Sequence, residues 1–271
     1  MRWEDVKRYQ VIEAILLWEG RLTTRHLVEY FDSTRQSAQK YISDYKQLNP
    51  NAFSFDATQK AHITGEMFTP LFIDFEFTTY HKLFNTATHA SSQLLVEQLP
   101  RVSRNICPNL VRPILVAIRD KLRIDIGYIS LSSPDFEDRI IQPHSLVFDG
   151  LRYHVRAFCE KNQDFRDFVL SRFSGEYCFE GAATAFISDD PVWQTQLTLV
   201  LCPDHRLSAA QKRCIERDFQ MQNGQLVVPV RAALLKYLLN YLRVDIYQAN
   251  AEQQQIVIEP ECRKQLAPYL T

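Results

Sequence analysis

Glycine is scarce in this chain, with seven in 271 residues, and neither GxGxxG nor GxxxxGK[ST] occurs. That excludes the Gly-rich loops that cradle a dinucleotide or a nucleoside triphosphate. The six cysteines, at 107, 159, 178, 202, 214 and 262, form no CxxC pair and share no zinc spacing with histidine. Neither a metal centre nor a disulfide framework is expected, no cofactor is assigned, and the thiols read as the reduced, mostly buried ones of a cytosolic protein. No apolar run approaches the ~20 residues of a membrane helix. The N-terminal MRWEDVKRYQ is charged and lacks the apolar core of a secretory signal, so a cytoplasmic location without a membrane partner is expected. An excess of one charge is missing too: 31 Lys and Arg face 32 Asp and Glu. A nucleic-acid partner must therefore be met by a local patch. No Asp or Glu pair is placed for acid–base work and no Ser or Cys is visibly matched to a base, so no catalytic residue is assigned.

What the chain does contain is ordinary in bulk, 46% hydrophobic and 23% charged, and long enough for two or three domains. The unusual stretch is Arg139–Arg172, RIIQPHSLVFDGLRYHVRAFCEKNQDFRDFVLSR. Apolar residues alternate with polar ones at period two, Asp149-Gly150 and the Glu160–Asp164 loop supply turns, and an antiparallel meander follows. Leu122–Leu131 adds a strand before it, with Ile124, Ile126, Tyr128 and Ser130 on one face; Glu176–Phe179 adds one after it. Together they predict a small closed antiparallel barrel. Alternation puts Arg152, His154, Arg156 and Phe158 on one face and Tyr153, Val155 and Ala157 in the core. Arg166, Phe168, Leu170 and Arg172 share a face, and a regular strand would set the two arginines ~20 Å apart. That spacing suits an extended anionic ligand, or places only one of them in a pocket. His144 follows Pro143 at a strand end, where it can face a ligand. The competing reading is that His144 is structural and that the arginines pair with Asp149, Asp164 or Asp167.

At the N-terminus, residues 3–18 carry an apolar stripe (Val6, Val11, Ile12, Ile15, Leu16) that predicts a helix closed by Gly20. Thr23 caps a second helix running to Tyr30 or Phe31, stapled by Leu22 and Leu27. Asp32-Ser33 breaks it, and Ser33, with Gln36 in a capping box, starts a third. There Ala38, Ile42 and Tyr45 share the inner face; Arg35, Gln36, Gln39, Lys40 and Ser43, with Thr34 before them, face out. Two capped helices across a tight turn are helix-turn-helix geometry, and Arg, Gln and Lys are side chains that read base edges and phosphates. A merely solvated helix face is the alternative. Residues Phe53–Thr64 alternate around a polar turn and predict a wing hairpin with Lys60 on a phosphate. This domain is expected to end at Pro70.

Residues 71–121 read as a helical connector, with stretches Thr79–Ala90 and Ser91–Leu99 and a firmer helix from Pro108 carrying Leu110, Ile114, Leu115 and Ile118. The sheet domain is expected over 122–187. Asp189-Asp190-Pro191 marks a boundary, and 188–271 alternates strand and helix three times, a small α/β unit. Leu234, Leu235, Leu238 and Leu239 make an apolar face for a core or a dimer.

Gly150-Leu-Arg-Tyr-His-Val-Arg-Ala-Phe-Cys159 resembles the Gly-x-Arg-Trp-Tyr-Leu-x-Ala-Tyr-Cys strand of the WYL domain of bacterial transcription factors, with Tyr153-His154-Val155 in place of Trp-Tyr-Leu. Pro143-His144 and Phe165-Arg166-Asp167-Phe168 with Arg172 resemble the branch of that family that controls BREX and CBASS phage-defence operons. The resemblance covers nearly the whole chain. It implies an α+β multidomain protein: a winged helix-turn-helix, an Sm/SH3-like barrel and a C-terminal α/β dimerisation domain. It also implies a homodimeric bacterial repressor; a dimeric winged helix is expected to meet a palindromic operator, at the nucleoid. The pocket implied by the resemblance holds His144, Arg152, Arg166 and Arg172; the strand faces add Tyr128, Ser130, His154 and Arg156 as expected ligand contacts, and the cations predict an anionic, nucleotide-like effector. The alternative is an adaptor gripping RNA or single-stranded DNA on the basic face, without transcriptional output. An enzyme using that basic pocket is a third reading, tested by turnover of nucleotides.

Overall fold

The structure is a computed structural model that describes residues 1–85, 99–100, 102–131, 134–135 and 137–270. It divides into two compact units, Met1–Pro100 and Arg101–Thr271. The helical expectations over 86–98 lie outside the described residues.

The first unit opens with α1 (Trp3–Glu19), which ends where Gly20 turns left-handed at φ 70. A short strand, β1 (Arg21–Leu22), precedes α2 (Thr24–Phe31). The Thr23 N–H donates to the His26 Nδ1 at the start of α2, and Leu22 and Leu27 are both buried. Helix α3 spans Arg35–Leu48. Its cap is Thr34, whose Oγ1 accepts from the Ser37 N–H at 3.1 Å, and not the expected Ser33–Gln36 box. The reason is local: Asp32 adopts φ 46 to end α2, which moves the start of α3 one residue on. Strands β2 (Phe53–Asp56) and β3 (Ala61–Thr64) form the hairpin, and β1 joins them in the order β1-β3-β2. Glu13, fully buried, is the polar hub of this core. Its carboxylate accepts from the Tyr45 hydroxyl and from the N–H groups of Leu71, Phe72 and Ile73. Helix α4 (Phe77–Asn85) adds Tyr80, Leu83 and Phe84 to the same core. The unit therefore continues past the boundary expected at Pro70.

The second unit starts with α5 (Pro108–Asp120). Ile114 and Ala117 of α5 are core residues of the sheet, so this half of the expected connector is a packing element. The sheet comprises β4 (Leu122–Tyr128), β5 (Glu137–Phe148), β6 (Tyr153–Cys159), β7 (Asp164–Val169) and β8 (Phe173–Ala182), in the order β7-β6-β5-β4-β8. All pairs are antiparallel. The expected closed Sm/SH3-like barrel is not found: β7 and β8 are the two edges. The chain leaves β7 through a 3-10 turn, Leu170–Arg172, instead of an extended strand that could close the ladder. Tyr153, expected in the core, is 44% exposed and packs on Phe148; it sits at the tip of the β5–β6 hairpin.

The C-terminal part holds α6 (Pro191–Gln194), β9 (Gln196–Pro203), α7 (Ala209–Asp218), β10 (Leu226–Arg231), α8 (Ala232–Tyr241), α9 (Ala251–Gln254), β11 (Ile256–Ile258) and α10 (Pro260–Leu266). Its sheet, β10-β9-β11, is antiparallel. Leu235 and Leu239 are buried against it, whereas Leu234 and Leu238 line a cleft shared with the β5–β6 hairpin. Leu234 and Leu238 are partly buried against the same core as well, so they bridge it to the seam with the preceding sheet.

Candidate functional site

Register decides what the basic strand set can do. Residues directly opposite each other on antiparallel strands share a face. Arg156 stands opposite Asp167, whereas Arg166 stands opposite Ala157. Arg166 is therefore on the face of Val155 and Ala157, opposite to that of His154 and Arg156. The expected cationic patch is two sets on two faces.

The His154/Arg156 face is closed. Arg156 is 7% exposed and forks onto Asp190, with Nε to Oδ2 at 2.7 Å and an η-nitrogen to Oδ1 at 3.1 Å. Asp167 adds a second carboxylate at 3.6 Å. Asp190 is fully buried and also accepts from the Trp193 N–H as the cap of α6. His144 is the extra residue of a bulge between Pro143 and Ser145, and the bulge turns its ring inward, as bulges re-aim side chains. Its Nε2 lies 3.3 Å from Asp190 and its Nδ1 2.8 Å from the Ser145 hydroxyl. Phe165 and Trp193 flank the ring. His154 is held between Asp149 (2.8 Å) and the Tyr237 hydroxyl (3.4 Å), and Tyr237 donates to Asp167. The expected ligand contacts His144, His154 and Arg156 are thus spent on internal bonds. Tyr128 is corrected as well: it is buried, accepts from the Val169 N–H at 3.0 Å, and packs edge-on to Phe168 and Phe173.

Arg152 is half-buried, with Nε 3.3 Å from Asp149. Arg166 is exposed and Arg172 half-buried, and no ion pair is recorded for either among the described residues. Ser130 follows β4, beside Ile129, whose N–H donates to the Arg172 carbonyl. The ~20 Å separation expected of a regular strand does not apply, because the strand stops at Val169 and a 3-10 turn, rising about 2 Å per residue, carries Arg172. The inference of an elongated ligand loses that support.

Electrostatics follow the bonding. Burial pushes the Asp149 carboxyl up, but the His154 ring and the N–H groups of Arg152 and Leu151 outweigh it and hold the carboxyl down at about 2. Burial likewise opposes ionisation of Asp190, and Arg156 with the Trp193 N–H lowers it nonetheless. Burial lowers His144 despite Asp190. The folded carboxyl of Asp149 thus lies below its ordinary 3.8. Its contribution is present above that value and is lost as pH falls from about 4 to about 2, amounting to at most about 2.5 kcal/mol. Urea midpoints measured at stepwise pH should fall less steeply across that window for Asp149→Asn than for the parent. Parallel curves would refute the assignment.

The other candidate site is the outer face of α3. Thr34, Arg35, Gln36, Gln39, Lys40 and Ser43 are all exposed, while Ala38, Ile42 and Tyr45 are buried. Lys60 is exposed at the hairpin turn with φ 51. Residues missed from the sequence are Asp190, taken there for a boundary, and Lys46 and His62, which line a groove between α3 and the hairpin. The Asp-Pro step signals a helix cap, and that signal marked Asp190 without showing its burial.

A capped helix pair with a polar outer face beside a three-stranded wing, followed by a sheet domain and an α/β domain, defines a winged-helix regulator. Residues 4–86 match the BrxR transcriptional regulator winged helix-turn-helix domain, 109–175 the WYL domain, and 196–266 the BrxR transcriptional regulator C-terminal dimerization domain. The chain is 31% identical over 275 residues to the DNA-binding transcriptional repressor CapW of Pseudomonas aeruginosa, covering 98% of this chain and 91% of that protein. It is 31% identical over 258 residues to CapW of Escherichia coli (92% and 86%) and 28% over 271 residues to that of Stenotrophomonas maltophilia (96% and 90%). The chain belongs to this BrxR/CapW family of winged-helix WYL transcriptional regulators. No helix among the described residues is long and apolar enough to cross a membrane.

Proposed function

We propose that the chain is a homodimeric transcriptional repressor that reads a palindromic operator with α3 and the wing. One observation carries the reading: the side chains able to read base edges and phosphates stand together on the exposed face of α3, opposite its buried stripe. The repressor names of the full-length relatives support it. The match of 196–266 to a dimerization domain supports two DNA-binding heads. The resemblance to BREX- and CBASS-associated repressors suggests a phage-defence operon as the target. An anionic, nucleotide-like effector would meet Arg166 and Arg172, with Ser130 beside Arg172 and Arg152 at the rim. Such an effector shifts DNA binding only by its differential affinity for the two states.

Fluorescence anisotropy on the duplex upstream of the gene, against a shuffled duplex, tests the reading. A preference of about 10³-fold or more is expected, protecting half-sites spaced near a multiple of ~10 bp. Equal affinity for both duplexes overturns it. A short oligoadenylate should then alter affinity in the parent and not in an Arg166→Ala/Arg172→Ala variant; an unchanged response in that variant removes the effector assignment.

A further inference from the structure

The groove between α3 and the wing, about 430 Å³ in volume, has Gln39, Ser43 and Lys46 on one wall and Phe53, Phe55 and His62 on the other. Gln39 and Ser43 also belong to the exposed polar face of α3, so whatever lies against that face continues into the groove. Lys46 is fixed there. Its ammonium donates to the Phe53 carbonyl and lies 4.8 Å from the centre of the Phe53 ring. An ammonium has three donors, so others remain for a ligand.

His62 is fixed as well, edge-on to Phe53 at 4.9 Å and to Phe55 at 5.3 Å. Its Nδ1 is buried with no hydrogen-bond partner among the described residues. An orphaned buried N–H is rarer and costlier than an orphaned acceptor, so the proton sits on Nε2, the nitrogen left to the groove. Protonation would put an N–H at Nδ1 facing no acceptor. Burial, and then the Lys46 charge, accordingly lower the affinity of the ring for a second proton. A fixed cation thus stands near a neutral N–H donor, beside Phe55, which is 62% exposed.

A cation and a neutral donor suit an anionic oxygen; an exposed aromatic edge suits a sugar face. Resting on the reading of α3 as a recognition helix, we infer that this groove seats the phosphodiester backbone of the DNA strand bordering the major groove. One phosphate is held by the Lys46 ammonium and the His62 Nε2–H, and Phe55 packs on the adjoining deoxyribose. The seat carries no sequence information. It sets the register at which Gln39 and Arg35 meet base edges.

The test uses the full chain, the upstream duplex and its shuffled counterpart, over a salt series. His62→Phe keeps the ring packing and loses the donor; it should weaken both duplexes by the same factor, roughly 10- to 150-fold, as loss of one hydrogen bond to a charged group would. His62→Gln restores a neutral donor and should bind within about twofold of the parent on the same scale. Lys46→Met should lower the slope of log affinity against log salt by about 0.9, one phosphate contact, whereas His62→Phe leaves the slope unchanged. If Lys46→Met unfolds, the His62 pair decides. Parental binding by His62→Phe, or weakening confined to the upstream duplex, overturns the seat. Arg35→Ala/Gln39→Ala separates the two ideas. If it loses the preference while the groove variants bind as the parent, recognition stands and the seat falls. If it keeps the preference, the recognition reading falls and the seat with it.

Discussion

Replacing Arg35 and Gln39 together by alanine should abolish the preference for operator DNA and leave the protein folded. Both side chains are exposed on α3, and no core residue changes: the helix is held by Ala38, Ile42 and Tyr45 and capped by Thr34. Alanine is the best helix former, so α3 itself gains propensity from both changes. On the proposed function, what is removed is base readout. A good bidentate contact discriminates by about 1–3 kcal/mol, so two lost contacts amount to about 2–6 kcal/mol. That is roughly 30-fold to beyond 10⁴-fold in affinity for the operator. Binding to shuffled DNA, which rests on phosphate contacts, should persist with its salt dependence. An unchanged gel-shift affinity for the operator sinks the assignment of α3 as the reading helix.

Asp190→Ala should destabilise the second unit by about 3–5 kcal/mol, the range for removing one partner of a buried ion pair. The carboxylate is fully buried and serves the Arg156 fork, the His144 ring and the Trp193 N–H. Without it the remaining ion-pair partner of Arg156 among the described residues is Asp167, at 3.6 Å, and α6 loses its cap. The loss should be read in urea midpoints, and hydrogen exchange should localise the opening to α6 and the facing β5–β6 strands. Replacing both partners, Arg156→Met with Asp190→Leu, should recover part of it, because the cost lies mainly in the stranded charge. A loss below about 1 kcal/mol, within reach of an exposed pair, would show that the pair is not the seam of this unit. It would also return Arg156 to the candidates for a ligand contact.

Local chemistry was legible wherever a few neighbouring residues decide it. Gly20 ends α1, Thr23 starts α2, and the alternation over 53–64 becomes the wing hairpin. Even there the start of α3 moved by one residue, because Asp32 took the left-handed turn that local pattern did not demand. The boundary expected at Pro70 failed for a different reason. Proline ends an element, but the apolar face of α4 is paired with a core built from residues 9–53, and that pairing is not local. The expected ligand site fared worst. Period-two alternation says correctly that His154 and Arg156 share a face. It does not say which residues of the next strand join that face, because this is a matter of register, and Arg166 fell on the other side.

The sequence by itself determined the class of protein: capped helices at helix-turn-helix spacing, a wing, a Gly-x-Arg strand and an α/β tail. These are short-range propensities and patterns, carried by contiguous residues. Only the tertiary structure decided which cations are available to a partner. Burial and pairing of Arg156 by Asp190, of His154 by Asp149 and Tyr237, and of His144 through a strand bulge depend on chain segments far apart in sequence. A charge on a strand is a ligand contact or a structural bond according to what covers it, and cover is a property of the folded chain.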